Sequence, residues 1–129
     1  MEQVTGIGGI FFKARDPVKM AAWYRDCLGL GGPDGTAEFV FRSSDQPAAP
    51  EQRTVWSLFP ADTDYFGPGP TPFLVNYRVA NLDKMLAQLQ QAGVAVDKVE
   101  DHDYGRFAWL SDPEGNRLEL WEPKNPAQP

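Results

Sequence analysis

Two basic side chains, Lys13 and Arg78, occupy the same place in two related segments of this 129-residue sequence. A lysine and an arginine placed together could hold a carboxylate or another oxyanion, and the arginine could do so through two parallel hydrogen bonds. Asn76, two residues before Arg78, could add a neutral hydrogen bond. The alternative is that both cations extend from strand ends into water, with their stems covering apolar surface.

The two related segments form an internal repeat. The first runs from Ile10 to Leu30 and the second from Val75 to Val94. In this alignment Phe12 falls on Tyr77, Lys13 on Arg78, Asp16 on Asn81, and Met20 on Met85. Each copy reads as a short strand, a helix-capping residue, an amphipathic helix and a glycine that ends the helix. Because two copies fill the chain, the repeat defines the architecture.

The first copy predicts a strand over residues 7–14, with Phe11 and Lys13 on one face and Phe12 on the other. A helix follows, capped by Asp16 and ended by Gly29, with an apolar stripe formed by Val18, Ala21, Tyr24 and Leu28. Strands over residues 36–42 and 54–59 come next. The connection between them, residues 43–53, is rich in Pro, Ala and Gln and is predicted to be a loop.

The second copy repeats this plan after a Pro/Gly-rich linker at residues 67–72. A strand over residues 73–79 precedes the capping residue Asn81 and a helix with its stripe at Leu82, Met85, Leu89 and Ala92. Strands are predicted over residues 95–99, 106–110 and 117–122, the last two joined by a turn at residues 112–116. The tail from Pro123 is predicted to fray. The whole chain, 1–129, is therefore predicted to be one α+β domain of two βαβββ modules, about 5–66 and 72–123.

Composition excludes several functions. A net charge of −6 and a pI near 4.6 argue against nucleic acid as a partner. The single cysteine, Cys27, rules out an intramolecular disulfide. No signal-peptide pattern and no apolar run of membrane-spanning length is present. We therefore expect no membrane partner and a cytoplasmic location.

With these elements placed, the sequence resembles the vicinal oxygen chelate superfamily. This superfamily includes glyoxalase I, extradiol dioxygenases, fosfomycin-resistance proteins and bleomycin-binding proteins. The resemblance is carried by the strand–Asp–helix–Tyr–x₃–Leu–Gly–Leu run of the first module and by Asp112-Pro-Glu-Gly-Asn-Arg-Leu-Glu119 in the second. It implies a curved mixed sheet around a cavity, with the helices outside. It also implies a homodimer in which module one of one chain faces module two of the other.

The resemblance also names the positions that hold a metal ion in metal-dependent members. These positions fall on Gly9, Leu74, either Trp56 or Ser57, and Glu119. Glu119 alone is a good ligand, whereas a catalytic divalent ion needs about three protein ligands. His102 lies in the acidic stretch 100–103, which is interpreted as a solvated turn. No metal or other cofactor is therefore predicted, with Glu119 as the one ligand if a metal is present.

Strand alternation predicts which residues replace the metal site. Glu119 is the acid/base candidate, with a structural ion pair to Arg78 or Arg117 as the alternative role. The predicted ligand-binding residues are Phe11, Lys13, Trp56, Asn76, Arg78, Phe107, Trp109, Arg117 and Trp121. Aromatic walls with a few polar groups are typical of small-molecule sites. The glycines at positions 6, 8 and 9 precede a strand, whereas a dinucleotide-binding motif follows a strand and opens a helix. They therefore predict close approach of a strand to its neighbour.

Three functions follow from these residues. The first is a metal-independent site that binds, or also transforms, an aromatic or carboxylate-bearing metabolite. The second is a protein that sequesters its ligand, as the bleomycin-binding relatives do. The third is a metal-dependent lyase or dioxygenase.

Overall fold

A computed structural model describes residues 1–41, 51–67 and 70–124. The elements, in chain order, are β1 (Val4–Ala14), α1 (Pro17–Leu28), β2 (Thr36–Phe41), β3 (Gln52–Pro60), β4 (Phe73–Val79), α2 (Leu82–Gln91), β5 (Lys98–His102), β6 (Gly105–Ser111) and β7 (Arg117–Pro123). Two compact units result. The module-one unit is Gly9–Phe73, and the module-two unit combines Met1–Gly8 with the chain from Leu74 onward.

The module-one unit places α1 against three paired strands. β3 pairs in parallel with β1 and antiparallel with β2. The side chain of Asp16 accepts a hydrogen bond from the backbone N–H of Lys19 at 3.1 Å, and Gly29 ends the helix with φ 64°. This N-cap and this glycine stop are the ones that the sequence predicts.

One apolar cluster of the module-one unit contains the buried residues Ala21, Trp56 and Leu58, with Phe12 and Tyr24 packed against them. Val18 and Leu28 lie outside it and are 78% and 62% exposed, so the predicted stripe is wrong at both ends of α1. The helical spacing is correct, but only Ala21 and Tyr24, in the middle of the helix, pack with Trp56 and Leu58 of β3.

The module-two unit has the complete βαβββ order. β4 pairs in parallel with β7, and β6 pairs antiparallel with both β7 and β5. α2 covers one face of these strands, and the core between them is formed by Val79, Leu82, Met85, Ala108, Leu110 and Leu120. Asn81 caps α2 by accepting from the backbone N–H of Lys84 at 3.0 Å.

These findings confirm the predicted α+β fold, with βαββ visible in the described residues of module one. The strand predicted at 95–99 exists with other bounds, because β5 is Lys98–His102. Val96 packs against the core beneath α2, so its apolar character reflects that contact and not a strand. The predicted loop at 43–53 is wrong at residues 52 and 53, which begin β3, and its residues 43–50 lie outside the described residues. Linker residues 68 and 69 and the tail from 125 also lie outside them. Neither helix of the described chain has the length and apolar character needed to cross a membrane.

Candidate ligand-binding site

Six predicted site residues come together in two rows on one face of the module-two unit. In the first row Asn76 pairs with Glu119 on β7, which pairs with Trp109 on β6. In the second row Arg78 pairs with Trp121, which pairs with Phe107. Side chains alternate along a strand, and the intervening residues Tyr77, Ala108 and Leu120 pack toward α2. We call Asn76, Arg78, Phe107, Trp109, Glu119 and Trp121 the aromatic face.

Glu119 is the hydrogen-bonding centre of the first row. Its side chain is 1% exposed. The amide Nδ2 of Asn76 donates to its Oε1, and the indole Nε1 of Trp109 donates to its Oε2 at 2.7 Å. Asn76 and Trp109 are themselves 3% and 6% exposed. Because both carboxylate oxygens accept hydrogen bonds, Glu119 fixes the orientation of both donors.

Three rings of the aromatic face lie nearly parallel. Phe107 lies between the other two, with its centroid 5.9 Å from that of Trp109 and 6.2 Å from that of Trp121. The interplanar angles are 16° and 8°. Phe107 and Trp121 are half-buried, so parts of both rings are accessible. Such an arrangement can accept a further planar ring in offset stacking.

Arg78 supplies positive charge at the end of the second row. Its side chain is 6% exposed, and burial lowers the pKa of its guanidinium. The backbone oxygen of Arg78 accepts a hydrogen bond from Thr5 Oγ1 at 3.1 Å. A guanidinium carries five N–H donors, so an anionic ligand group beside it would gain charge-assisted hydrogen bonds in a partly desolvated site.

Glycines make room for these side chains. A Cβ added at Gly6 would collide with the guanidinium of Arg78, and one at Gly8 would collide with Asn76 Oδ1 and come within 2.7 Å of Trp121 Cε3. The glycine run of β1 therefore has the predicted role of allowing close approach. Gly105 has a φ of 155°, and a Cβ added there would collide with the indole nitrogen of Trp121.

Asn76 Oδ1 and Trp121 Nε1, both on the aromatic face, are buried without a hydrogen-bond partner among the described residues. Because the amide nitrogen of Asn76 must face the Glu119 carboxylate, its oxygen is directed at Gly8. Asn76 therefore has one determined orientation.

Arg117 lies on β7 two residues before Glu119, on the same face of the strand, and has its own carboxylate partner. Its Nη1 pairs with Asp97 Oδ2 at 3.4 Å, which gives the guanidinium a carboxylate partner other than Glu119. Its side chain remains 20% exposed.

Sequence reasoning missed three polar residues on β5. Lys98, Glu100 and His102 alternate along this strand, and Lys98 and Glu100 pair with Trp109 and Phe107. Lys98 Nζ lies 5.7 Å from the Trp109 ring centroid, and the ring of His102 meets that of Phe107 edge-on at 5.9 Å. Residues 100–102 therefore belong to β5, and the solvated turn predicted for residues 100–103 is wrong for these three residues. The Lys-x-Glu-x-His alternation was the signal available in the sequence.

Glu100 links these β5 residues to one another. It forms an ion pair with Lys98, and its Oε1 lies 2.8 Å from His102 Nε2. Hydrogen bonds from Lys98 first, and then from His102, lower the pKa of the Glu100 carboxyl. The imidazole of His102 also stacks on Tyr104, with centroids 5.2 Å apart.

The remaining predicted residues belong to the module-one unit. Phe11 packs on Phe59 with centroids 5.6 Å apart, and Lys13 Nζ lies 5.6 Å from the ring centroid of Phe66. Trp56 lies with Tyr24 on the α1 side, with centroids 4.9 Å apart. Ser57 pairs with Phe11, so Ser57 is the residue of β3 on the Phe11 side. Lys13 and Arg78 lie in different units, and their joint action stays a prediction.

The residues at the family's metal-ligand positions in the module-two unit do not fit a divalent cation. Leu74 is fully buried and has no donor atom. Both Glu119 oxygens face N–H donors, whose hydrogens would repel a cation. Among residues 1–41, 51–67 and 70–124, no three His, Cys, Asp or Glu side chains are grouped to hold a metal ion.

Comparison with known proteins places this geometry in context. The family model described as "Glyoxalase-like domain" matches residues 9–121. No curated protein sequence matches significantly. Among solved structures, methylmalonyl-CoA epimerase from Mycobacterium tuberculosis is similar, with 23% identity, a TM-score of 0.55, and coverage of 95% of this chain and 90% of that chain.

Two further structures share the fold. A single-residue variant of Streptomyces coelicolor methylmalonyl-CoA epimerase, in complex with 2-nitronate-propionyl-CoA, has 18% identity and a TM-score of 0.62, covering 92% of this chain and 97% of that chain. A catechol 2,3-dioxygenase has 21% identity and a TM-score of 0.56, covering 100% of this chain and 43% of that chain. At these identities the likeness concerns the fold alone.

Proposed function

The chain belongs to the glyoxalase-like domain family of the vicinal oxygen chelate superfamily, and we propose that it binds a small planar organic molecule on the aromatic face. The observation that carries this proposal is the near-parallel array of Phe107, Trp109 and Trp121 beside the buried Arg78. Aromatic surface with a few fixed polar groups is what small-molecule sites in proteins provide.

The chemistry of the face favours an aromatic ligand with an oxygen-bearing substituent. The ring of the ligand would stack on Phe107 and Trp121, which are half-buried. The substituent, a carboxylate in the simplest case, would approach the guanidinium of Arg78. Related epimerase structures hold a small-molecule ligand, 2-nitronate-propionyl-CoA, which supports a binding role for this fold but not this particular ligand.

Binding without turnover is the function that the geometry supports best. Glu119, the acid/base candidate, is 1% exposed and both of its oxygens accept hydrogen bonds from protein donors. A general base must reach the proton that it removes, and this carboxylate faces its neighbours instead. The metal-dependent lyase or dioxygenase lacks a suitable donor set in the module-two unit. We therefore favour ligand sequestration over either chemistry.

The test uses 2-naphthoate, a planar aromatic carboxylate, titrated against the purified protein by calorimetry and tryptophan fluorescence. We expect saturable binding that Trp121→Leu weakens by about fivefold or more, because a stacked aromatic pair contributes about 1 kcal/mol. Trp23→Leu is the matched control, since Trp23 lies on α1 and is 52% exposed. Equal loss in both variants, or no binding by the wild-type protein, would refute the proposal.

The expected homodimer and cytoplasmic location remain predictions from the sequence. Light scattering tests the dimer, and a mainly monomeric species would contradict it. If the dimer forms, calorimetry should give one 2-naphthoate for each chain, because each chain carries its own aromatic face.

A further inference from the structure

We infer that Glu119 is a positioning residue that orients the Trp109 indole and the Asn76 amide, in place of the metal-ligand role implied for its position. This inference rests on the proposed function, because the oriented groups belong to the aromatic face. It assigns the buried carboxylate a task that needs neither a metal ion nor a proton transfer.

The hydrogen-bond geometry carries the first step. A buried carboxylate needs partners, and Glu119 has one donor on β4 and one on β6. The two donors approach different oxygens, so neither can move without weakening the hydrogen bonding of a polar group in a site that water does not reach. Glu119 on β7 therefore ties the side chains of its two neighbouring strands together.

The hydrogen bond from Trp109 to Glu119 also affects ligand binding. The bond from Trp109 Nε1 to Glu119 Oε2, 2.7 Å long, fixes which edge of the indole faces β7. The same ring stacks within 16° of the plane of Phe107. A rotated indole would lose that alignment. Glu119 is buried, yet it determines the position of a ring on the aromatic face.

A charge swap between residues 76 and 119 tests the inference. In the double variant N76D/E119Q, the amide oxygen introduced at position 119 accepts from the Trp109 N–H, and the new NH₂ group donates to the carboxylate introduced at position 76. All donor–acceptor pairs are thus restored, but the negative charge has moved to β4. Each single variant disturbs this pairing. N76D opposes two carboxylates, and E119Q faces Asn76 with an NH₂ group, so the Asn76 amide must turn over and direct its own NH₂ at Gly8.

The readouts are 2-naphthoate affinity by calorimetry and the near-ultraviolet circular dichroism of the tryptophans. We expect E119Q and N76D each to weaken binding by about fivefold or more, the equivalent of one lost hydrogen bond. The double variant should recover to within about twofold of the wild type and regain its dichroism spectrum. A folded double variant that binds as weakly as E119Q would overturn the inference, because the carboxylate itself would then be needed at position 119.

A second comparison covers the case in which the double variant does not fold. In a Trp109→Phe background no indole N–H needs an acceptor, so the amide introduced by E119Q can turn its oxygen to the Asn76 NH₂, and adding E119Q should change affinity by less than about twofold. An undiminished effect would overturn the inference. If the wild-type protein binds no 2-naphthoate, the proposed function fails, and recovery of the dichroism spectrum by the double variant still decides whether Glu119 positions Trp109.

Discussion

Replacing Gly8 by alanine should displace the side chains of Asn76 and Trp121 on the aromatic face. The new Cβ would overlap Asn76 Oδ1 and lie 2.7 Å from Trp121 Cε3. Carbon atoms in contact lie about 3.5–4.0 Å apart, so the indole must withdraw by about 1 Å. Asn76 cannot turn away freely, because its amide nitrogen donates to Glu119 in a buried site.

The cost can be worked out from these two contacts. Forcing a methyl group into a packed site destabilises a protein by about 1–3 kcal/mol. Weakening the bond from Asn76 to Glu119 adds about 1–3 kcal/mol when the groups stay buried, and the two effects overlap. We expect Gly8→Ala to lower the free energy of unfolding by about 2–4 kcal/mol. For a chain of this length that corresponds to a Tm lower by about 6–15 °C.

Urea denaturation and thermal unfolding measure this loss, and Gly32→Ala is the matched control. A Cβ at Gly32 meets only the side chain of Asp34, at 3.5 Å, so this variant should stay within about 0.5 kcal/mol of the wild type. In an Asn76→Ala background the penalty of Gly8→Ala should shrink, because one of the two collisions is gone. The reasoning is refuted if Gly8→Ala is as stable as Gly32→Ala.

Three further predictions concern charge and capping. Arg78→Met should abolish the preference of the protein for 2-naphthoate over neutral 2-naphthamide, measured by calorimetry, whereas Arg25→Met, on the exposed surface of α1, should keep it. Hydrogen bonds, first from the Asn116 side chain, lower the pKa of Asp112 in the turn before β7. The stabilisation is present above the ordinary pKa of 3.8 and is lost as the pH falls below it. In urea titrations, the difference in unfolding free energy between wild type and Asp112→Ala should therefore become smaller from pH 5 to pH 3. Asp16→Ala should cost about 0.5–2 kcal/mol in the same assay through loss of the α1 N-cap, and an unchanged midpoint would contradict this.

Local signals in the sequence predicted much of this fold. The starts of both helices follow from Asp16 and Asn81, because a capping side chain bonds to a backbone only three residues away. The bounds of β4, residues 73–79, were predicted without error. Alternation along β4 also placed Asn76 and Arg78 on one face, since neighbouring side chains of a strand point to opposite sides.

Features that depend on contacts distant in sequence were harder to predict. Trp56 and Ser57 both suited the family ligand position, and only the pairing of β3 with β1 shows which of them is beside Phe11. Val96 has the apolar character of a strand residue but packs as a loop residue beneath α2. The interaction of Arg117 with Asp97 likewise brings together two residues whose proximity no local pattern indicates.

The case of Glu119 shows why residue type alone could not decide the function of the site. A carboxylate at this position is compatible with a metal ligand, a general base or an ion-pair partner, and the sequence left these open. The deciding fact is which groups face its two oxygens, and this depends on the register of β7 with β4 on one side and β6 on the other. A shift of one residue in either pairing would move Asn76 or Trp109 to the opposite face and remove a donor from the carboxylate. The aromatic face therefore depends on strand register as much as on composition, and a variant that preserves every residue of the face but alters that register should lose ligand binding.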